Sequence, residues 1–169
     1  EVPVAGRAGV PADAEAVVAN VTVVGASMPG YVTVFPCGTR PGTSSVNHGV
    51  GEAVANELIV KLSPVGSICV YAHTAVHVIV DVAGYAPAGS DYVALTPARL
   101  IDTRPTPVAA GTSVEVPVAG RAGVPADAEA VVANVTVVGS SMPGYVTVFP
   151  CGTRPGTSSV NHGVGEAVA

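Results

Sequence analysis

The first 55 residues of the chain recur almost unchanged near its other end. Residues 1–55 match residues 115–169 at an offset of 114, and 54 of the 55 positions are identical. The one difference replaces Ala26 by Ser140. Because independently evolving domains accumulate surface changes, this near-identity indicates a recent duplication or a tandem array kept uniform. The chain therefore contains one and a half copies of a 114-residue unit, with residues 56–114 present once.

A weaker repeat lies inside the unit, at an offset of 36 residues. It aligns Asn20 with Asn56 and Val34 with Val70, each within an Ala-Asn pair, an apolar run, a glycine turn and a second apolar run. We interpret this internal repeat as two related β-hairpins.

Apolar residues alternate with other residues along several short segments, which is the pattern of half-buried β-strands. Residues 31–35 and 77–82 show it most clearly, and turn-forming runs such as Met28-Pro29-Gly30 separate the segments. No sustained helical period is present. The sequence predicts an all-β fold, with each 114-residue unit an antiparallel β-sandwich or β-prism-like module.

Composition excludes several classes of partner. The chain is 49% hydrophobic but only 11% charged, and its net charge is −5. Nucleic-acid binding through phosphate contacts needs clustered lysine and arginine, which this chain lacks. No apolar run reaches the 18 or so residues of a membrane span, so we expect no membrane insertion.

Several ordered motifs resemble a repeat family of secreted and cell-surface proteins of actinobacteria. The motifs are Tyr92-Val93-Ala94-Leu95-Thr96-Pro97-Ala98-Arg99-Leu100-Ile101-Asp102-Thr103-Arg104, Val80-Asp81-Val82-Ala83-Gly84-Tyr85, Ala19-Asn20-Val21-Thr22-Val23 and Gly30-Tyr31-Val32-Thr33-Val34-Phe35-Pro36-Cys37-Gly38. The resemblance implies a secreted or cell-surface β-rich module and no catalytic residue. In its frame, residues 1–91 are a unit lacking its opening segment, and residues 92–169 are a unit lacking its closing segment.

The same resemblance implies a disulfide between Cys37 and Cys69, because both positions are often cysteine in the family. The alternative is buried thiols in a reducing compartment. Cys151 is the copy of Cys37. It has three alternatives: a free thiol, a bond to another chain, or competition with Cys37 for Cys69.

Arg99, Asp102 and Arg104 form the densest charged cluster in this charge-poor chain. Two guanidinium groups can form a site for an anion. We favour a structural network instead, in which a buried Asp102 pins the strand that opens each unit. Asp81 is a further candidate partner of this network.

Neither catalysis nor metal binding is predicted. His73, His77 and Asp81 could ligate Zn²⁺, but strand spacing places residues 77 and 81 about 13 Å apart, too far to share one ion. His48 follows a Ser/Thr-rich loop without the sequence context of a serine nucleophile. We therefore expect no enzyme activity, no metal and no cofactor.

Two functions remain as hypotheses. The first is a non-catalytic structural module whose units stack or exchange strands to form a stalk, coat or fibre, with self-association through the duplicated half-units. The alternative is a module that binds cell-wall polysaccharide beside a secreted hydrolase. Sugar stacking on aromatic rings would then use Tyr31, Tyr71 and Tyr85.

Overall fold

The chain forms eleven β-strands and no helix in a computed structural model that describes residues 1–169. Seven strands lie in the first half: β1 (Val2–Pro3), β2 (Ala16–Val24), β3 (Gly30–Pro36), β4 (Val46–His48), β5 (Val54–Lys61), β6 (Ser67–Ala72) and β7 (His77–Ala86). Four short strands follow: β8 (Val137–Val138), β9 (Gly144–Val146), β10 (Val160–His162) and β11 (Ala167–Val168). All pairings are antiparallel, which confirms the predicted all-β fold. None of the chain is a helix of the length and apolarity that crossing a bilayer requires.

Residues 1–86 form a sandwich of two sheets. One sheet has the strand order β1-β6-β3-β4, and the other has the order β5-β2-β7. The inward faces of both sheets share one cluster of 13 buried apolar residues, which includes the fully buried Val17, Val21 and Val32. This core supplies the burial that stabilises the sandwich.

The strand β2 is the centre of the three-stranded sheet. It pairs with β5 from Ala16↔Lys61 to Val23↔Val54 and with β7 on its other edge. Alternate residues Ala19 and Val21 point into the core, which is the period-2 pattern that the sequence contains. Other strands therefore pair with both edges of β2 and pack against its inner face.

The prediction of two β-hairpins is wrong. The strands β2 and β3 follow each other in sequence but lie in opposite sheets, and the same is true of β5 and β6. Each connection therefore crosses from one sheet to the other as an arch. The physical reason is that both strands of each pair have an apolar face. Two such faces bury more apolar surface when the strands lie in opposite sheets and face each other than when they are neighbours in one sheet.

The internal repeat corresponds to real spatial relations in only one sheet. Val34 pairs directly with Val70, as two equivalent positions on neighbouring strands do. In the other sheet the alignment fails, because Ala19 is buried whereas Ala55 is exposed. The Ala-Asn pairs thus place their side chains on opposite faces of the sheet.

Residues 115–169 have almost the same sequence as residues 1–55 but contain far fewer strand residues. The nine-residue β2 corresponds to β8, which has two residues, and the seven-residue β3 corresponds to β9, which has three. The strand segments that survive are those with a partner inside the copy: β9 pairs with β10, and β8 pairs with β11. Strands are lost where the partner would be β5, β6 or β7.

Loss of the strand partners leaves apolar side chains in solvent. Val17 is 0% exposed, but its copy Val131 is 48% exposed. Val34 is 1% exposed, but its copy Val148 is 56% exposed. No residue of 115–169 belongs to the hydrophobic core cluster. Residues 115–169 are called the open copy below.

Residues 87–136 connect the sandwich to the first strand of the open copy and contain no strand. Ala94 is the one buried residue of this connection. The open copy contacts the sandwich through Asn134, whose side chain donates to the Ser44 carbonyl at 3.2 Å and accepts from Asn56 at 3.0 Å.

The two copies provide a matched pair of stability experiments. Val17→Ala removes buried methyl groups and should lower the free energy of unfolding by about 2 kcal/mol. Val131→Ala makes the same chemical change at an exposed position and should change it by less than about 0.5 kcal/mol. Guanidinium denaturation followed by circular dichroism measures both, and equal effects of the two substitutions would contradict the assignment of the core.

Candidate functional site

A disulfide joins Cys37, directly after β3, to Cys69 in β6. Their Cα atoms are 4.9 Å apart, and the bond closes a loop with a sequence separation of 32. Closing a loop of this length stabilises a fold by about 3–4 kcal/mol in the chain-entropy model. The bond connects two neighbouring strands of the four-stranded sheet and fixes the start of the loop that follows Cys37.

That loop, residues 37–45, covers the outer face of the four-stranded sheet. The Thr33 hydroxyl donates to the Thr43 carbonyl at 2.5 Å, and the Val34 amide donates to the Ser45 hydroxyl at 2.9 Å. As a result Thr33 is fully buried and Phe35 is only 6% exposed, although both point away from the main core. The disulfide therefore holds a second, smaller packed layer in place.

Cys151 is a free, exposed thiol. It occupies the position of Cys37 in the open copy, where no strand equivalent to β6 lies beside it. The loop after it is nevertheless preformed, because the Thr147 hydroxyl donates to the Thr157 carbonyl at 2.5 Å, as Thr33 does to Thr43.

The charged cluster forms, but not as a buried structural network. The Asp102 carboxylate accepts from Arg99 at 3.0 Å and from two nitrogens of the Arg104 guanidinium at 2.9 and 2.5 Å. The prediction that Asp102 is buried beside an opening strand is wrong, since the residue is exposed and residues 92–104 contain no strand. Arg99 and Arg104 are already directed at Asp102, so they do not present a free anion site.

Asp81 does not join this network, contrary to the prediction. It lies in β7 opposite Asn20 and forms no ion pair. The sequence motif that contains Asp81 closes the sandwich sheet, whereas the Arg99–Arg104 segment lies outside the sandwich. The two motifs are close in sequence, but they do not contact each other in the structure.

Hydrogen bonds from Arg104 lower the pKa of the Asp102 carboxyl well below its usual range, with a smaller contribution from the positive charge of Arg99. The same contact raises the pKa of the Arg104 guanidinium. Because a depressed carboxyl pKa means that the charged form is favoured, the contact persists above the ordinary pKa of aspartate and is lost only as the pH falls through the lowered value.

Tyr31 and Tyr71 lie together on the outer face of the four-stranded sheet. Their ring centroids are 6.2 Å apart, the ring of His73 stacks on Tyr31 at 4.9 Å, and the Arg40 guanidinium lies 4.2 Å above Tyr71. Each ring thus already has a neighbour over one face. Tyr85, the third candidate for sugar contact, lies in β7 of the other sheet, apart from Tyr31 and Tyr71.

The histidine considered for catalysis is buried. His48 is 3% exposed, and its Nδ1 lies 3.3 Å from the Gly49 carbonyl. The Ser45 hydroxyl is occupied by the Val34 amide. No group of three or more His, Cys, Asp or Glu side chains is placed to hold a metal ion.

The open copy exposes an apolar groove whose equivalent in the sandwich is buried. A groove of about 170 Å³ runs between Val118, Val124, Ala128 and Val131. The duplicated half-units predict self-association, but the sequence pattern does not indicate which copy is open. The length of the connecting chain favours residues 1–55 as the copy that pairs with β5, β6 and β7. Residues 1–55 lead directly into β5, whereas the long segment 87–114 separates the open copy from β7.

Comparison with known proteins finds no matching family model, no similar curated protein and no similar solved structure.

Replacing Arg104 tests the origin of the lowered pKa. Arg104→Ala should raise the titration midpoint of Asp102 toward the ordinary aspartate value of about 3.9, because it removes the main hydrogen-bond donor. The midpoint is measured by following the side-chain carboxyl carbon by NMR as the pH is varied. Arg154→Ala is the control, since Arg154 contacts Tyr145 instead. An unchanged midpoint in Arg104→Ala would contradict the assignment.

Proposed function

We propose that this chain is a non-catalytic structural repeat module of a secreted or cell-surface protein, whose units associate to form a stalk, coat or fibre. The observation that carries the proposal is the unequal state of two nearly identical segments. Residues 1–55 are folded against β5, β6 and β7, whereas the open copy exposes the same valines to solvent. Unpaired strands and exposed apolar faces of this kind promote association with other chains.

The low charge of the chain supports association of units. Charged residues are 11% of the sequence, and the net charge is −5 over 169 residues. Self-repulsion between units is therefore weak, and little charge has to be desolvated when apolar faces meet. Edge strands that avoid association usually carry charged side chains, which the copies of β2 and β3 lack.

The Cys37–Cys69 bond supports an oxidising location for the module. Disulfides of structural importance persist outside the cytosol, at cell surfaces and in secreted proteins. The bond also fits a mechanical role, because it fixes two strands and the covering loop to one another without any cofactor.

Polysaccharide binding is the second candidate, and the adjacent Tyr31 and Tyr71 rings favour it. It is the weaker candidate because His73 and Arg40 already occupy ring faces that a sugar would use. Retention of the chain on insoluble cell-wall polysaccharide, with loss of retention in Tyr71→Ala, would favour this candidate over the structural one.

The proposal predicts association that depends on the open copy. Light scattering should give a molar mass that rises above the 16.6 kDa of one chain as the protein concentration increases. Val131→Asp should weaken the association at least about tenfold, because a carboxylate would have to be buried in an apolar contact. Val164→Asp is the matched control.

Val164 suits this purpose because it is 62% exposed, and its copy Val50 in the sandwich is also 62% exposed. The position is thus at the surface whether or not a copy is folded against partner strands. A molar mass of one chain at every concentration would contradict association, and equal weakening by both substitutions would show that the apolar face is not involved.

A further inference from the structure

The groove of the open copy corresponds to a filled region of the sandwich. Its walls Val118, Val124, Ala128 and Val131 are copies of Val4, Val10, Ala14 and Val17, all of which belong to the core cluster. In the sandwich that cluster also contains Leu62 and Ile68, from the chain between β5 and β6 and from β6 itself. The groove thus lacks the Leu62 and Ile68 side chains that share a core with the equivalent residues of the sandwich.

Backbone hydrogen bonds of the sandwich also indicate which segment of chain is absent from the groove of the open copy. In the sandwich, the amides of Val4 and Ala5 donate to the Gly66 carbonyl at 3.0 and 2.9 Å, and the Leu62 amide donates to the Glu15 carbonyl at 2.9 Å. The equivalent groups of the open copy belong to Val118, Ala119 and Glu129, and they lack these partners. An extended peptide that offers the same donor and acceptor pattern would satisfy these groups of the open copy.

The open copy is already shaped to receive such a peptide. Its β9–β10 pair keeps the register of β3–β4, with Gly144 opposite His162 as Gly30 is opposite His48. Its β8–β11 pair places Val137 opposite Val168, as Val23 is opposite Val54. Little ordering of these segments is needed on binding, which reduces the entropic cost of association.

We propose that the open copy binds residues 56–86, the donor segment, of a second copy of this chain, because its own residues 167–169 already stand for residues 53–55. This inference rests on the proposed function and names the surface and the partner through which units associate. The register follows from the sandwich: Val131 lies opposite Val60, as Val17 does, and Val148 lies opposite Val70, as Val34 does. The donor segment of each chain is held by its own residues 1–55, so the donor segment of the second copy must leave those residues to enter the open copy.

A disulfide locks this complex at a defined position. Cys151 takes the place of Cys37, whose Cα lies 4.9 Å from that of Cys69. The Cys151 thiol loses its proton to water, and the thiolate attacks the Cys69 sulfur of the second copy. The new Cys151–Cys69 bond forms as the Cys37–Cys69 bond breaks, and Cys37 leaves as a thiolate that takes up a proton. No net oxidation occurs.

The exchange also frees residues 1–55 of the second copy, which then have no donor segment. They differ from the open copy at only one position, Ala26 in place of Ser140. They are thus a new acceptor for a third chain, and the contact is head-to-tail and propagates.

The test uses the full chain and a synthetic peptide spanning residues 56–91, in which Cys69 carries glutathione as a mixed disulfide. The thiolate of Cys151 should displace glutathione, so that each chain gains one peptide and releases one glutathione. Peptide mapping by mass spectrometry should place the new bond between Cys151 and the peptide Cys69, with the Cys37–Cys69 bond of the chain intact.

Two variants of the chain show whether the groove directs this reaction. Val148→Asp should slow the coupling at least about tenfold, because the carboxylate would have to be buried opposite Val70 of the peptide. Val164→Asp should couple at the unmodified rate. Val148 and Val164 are 56% and 62% exposed, so the two substitutions are equivalent in the free chain. Both lie outside the sandwich, and circular dichroism should show an unchanged fold.

Coupling at the same rate in Val148→Asp, or with a peptide of scrambled sequence, would overturn the inference, because Cys151 would then react as any exposed thiol does. Association of the chain without capture of the peptide would overturn it too, while leaving the proposed structural function in place. Capture of the peptide by a chain whose own molar mass never exceeds that of one molecule would overturn the inference as well, because the groove would then recognise the segment without a second copy ever supplying it.

Discussion

The structure depends on one constraint, which is that a β-strand is stable only when other strands satisfy its backbone and cover its apolar face. The chain demonstrates this within itself, because residues 16–24 and 130–138 have identical sequences and different structures. The first segment is a nine-residue strand between two partners, and the second is a strand only at the two residues that β11 pairs with. Local propensity is equal in the two segments, so the partners decide the outcome.

The same constraint explains why the chain is asymmetric. It contains two acceptors of 55 residues and one donor segment, so whichever acceptor holds the donor leaves the other open. Connection length favours residues 1–55, since five residues, 49–53, join β4 to β5. The two arrangements otherwise bury nearly the same side chains, and exchange of one acceptor for the other therefore changes the packing free energy little.

The alternation of apolar residues is enough to predict the all-β fold, and the structure also contains the Cys37–Cys69 bond that the family resemblance implies. Alternation of valine with other residues reports which residues share a face of a strand, but it does not report which strand pairs with which. That is why β2–β3 was predicted as a hairpin and is an arch. The internal repeat failed at Asn20 and Asn56 for a related reason, since a shift of one residue reverses the face without weakening the sequence match.

The candidate sites were predictable only where the residues are close in sequence. Asp102 meets Arg99 and Arg104 because all three lie within one short segment. Asp81 is distant from this segment along the chain, and the fold places it in the β5-β2-β7 sheet without an ion pair to either arginine. The open groove carries no motif of its own and became visible only by comparing equivalent residues of the two copies.

Amide hydrogen exchange, resolved by residue with NMR, tests the dependence of strand structure on partners most directly. The two copies serve as each other's control, because the amides of residues 17–23 and 131–137 have the same neighbours in sequence. Amides of residues 17–23 should exchange at least about a hundredfold more slowly, since each belongs to a strand paired on both edges. Equal protection of the two segments in the isolated chain would contradict the account.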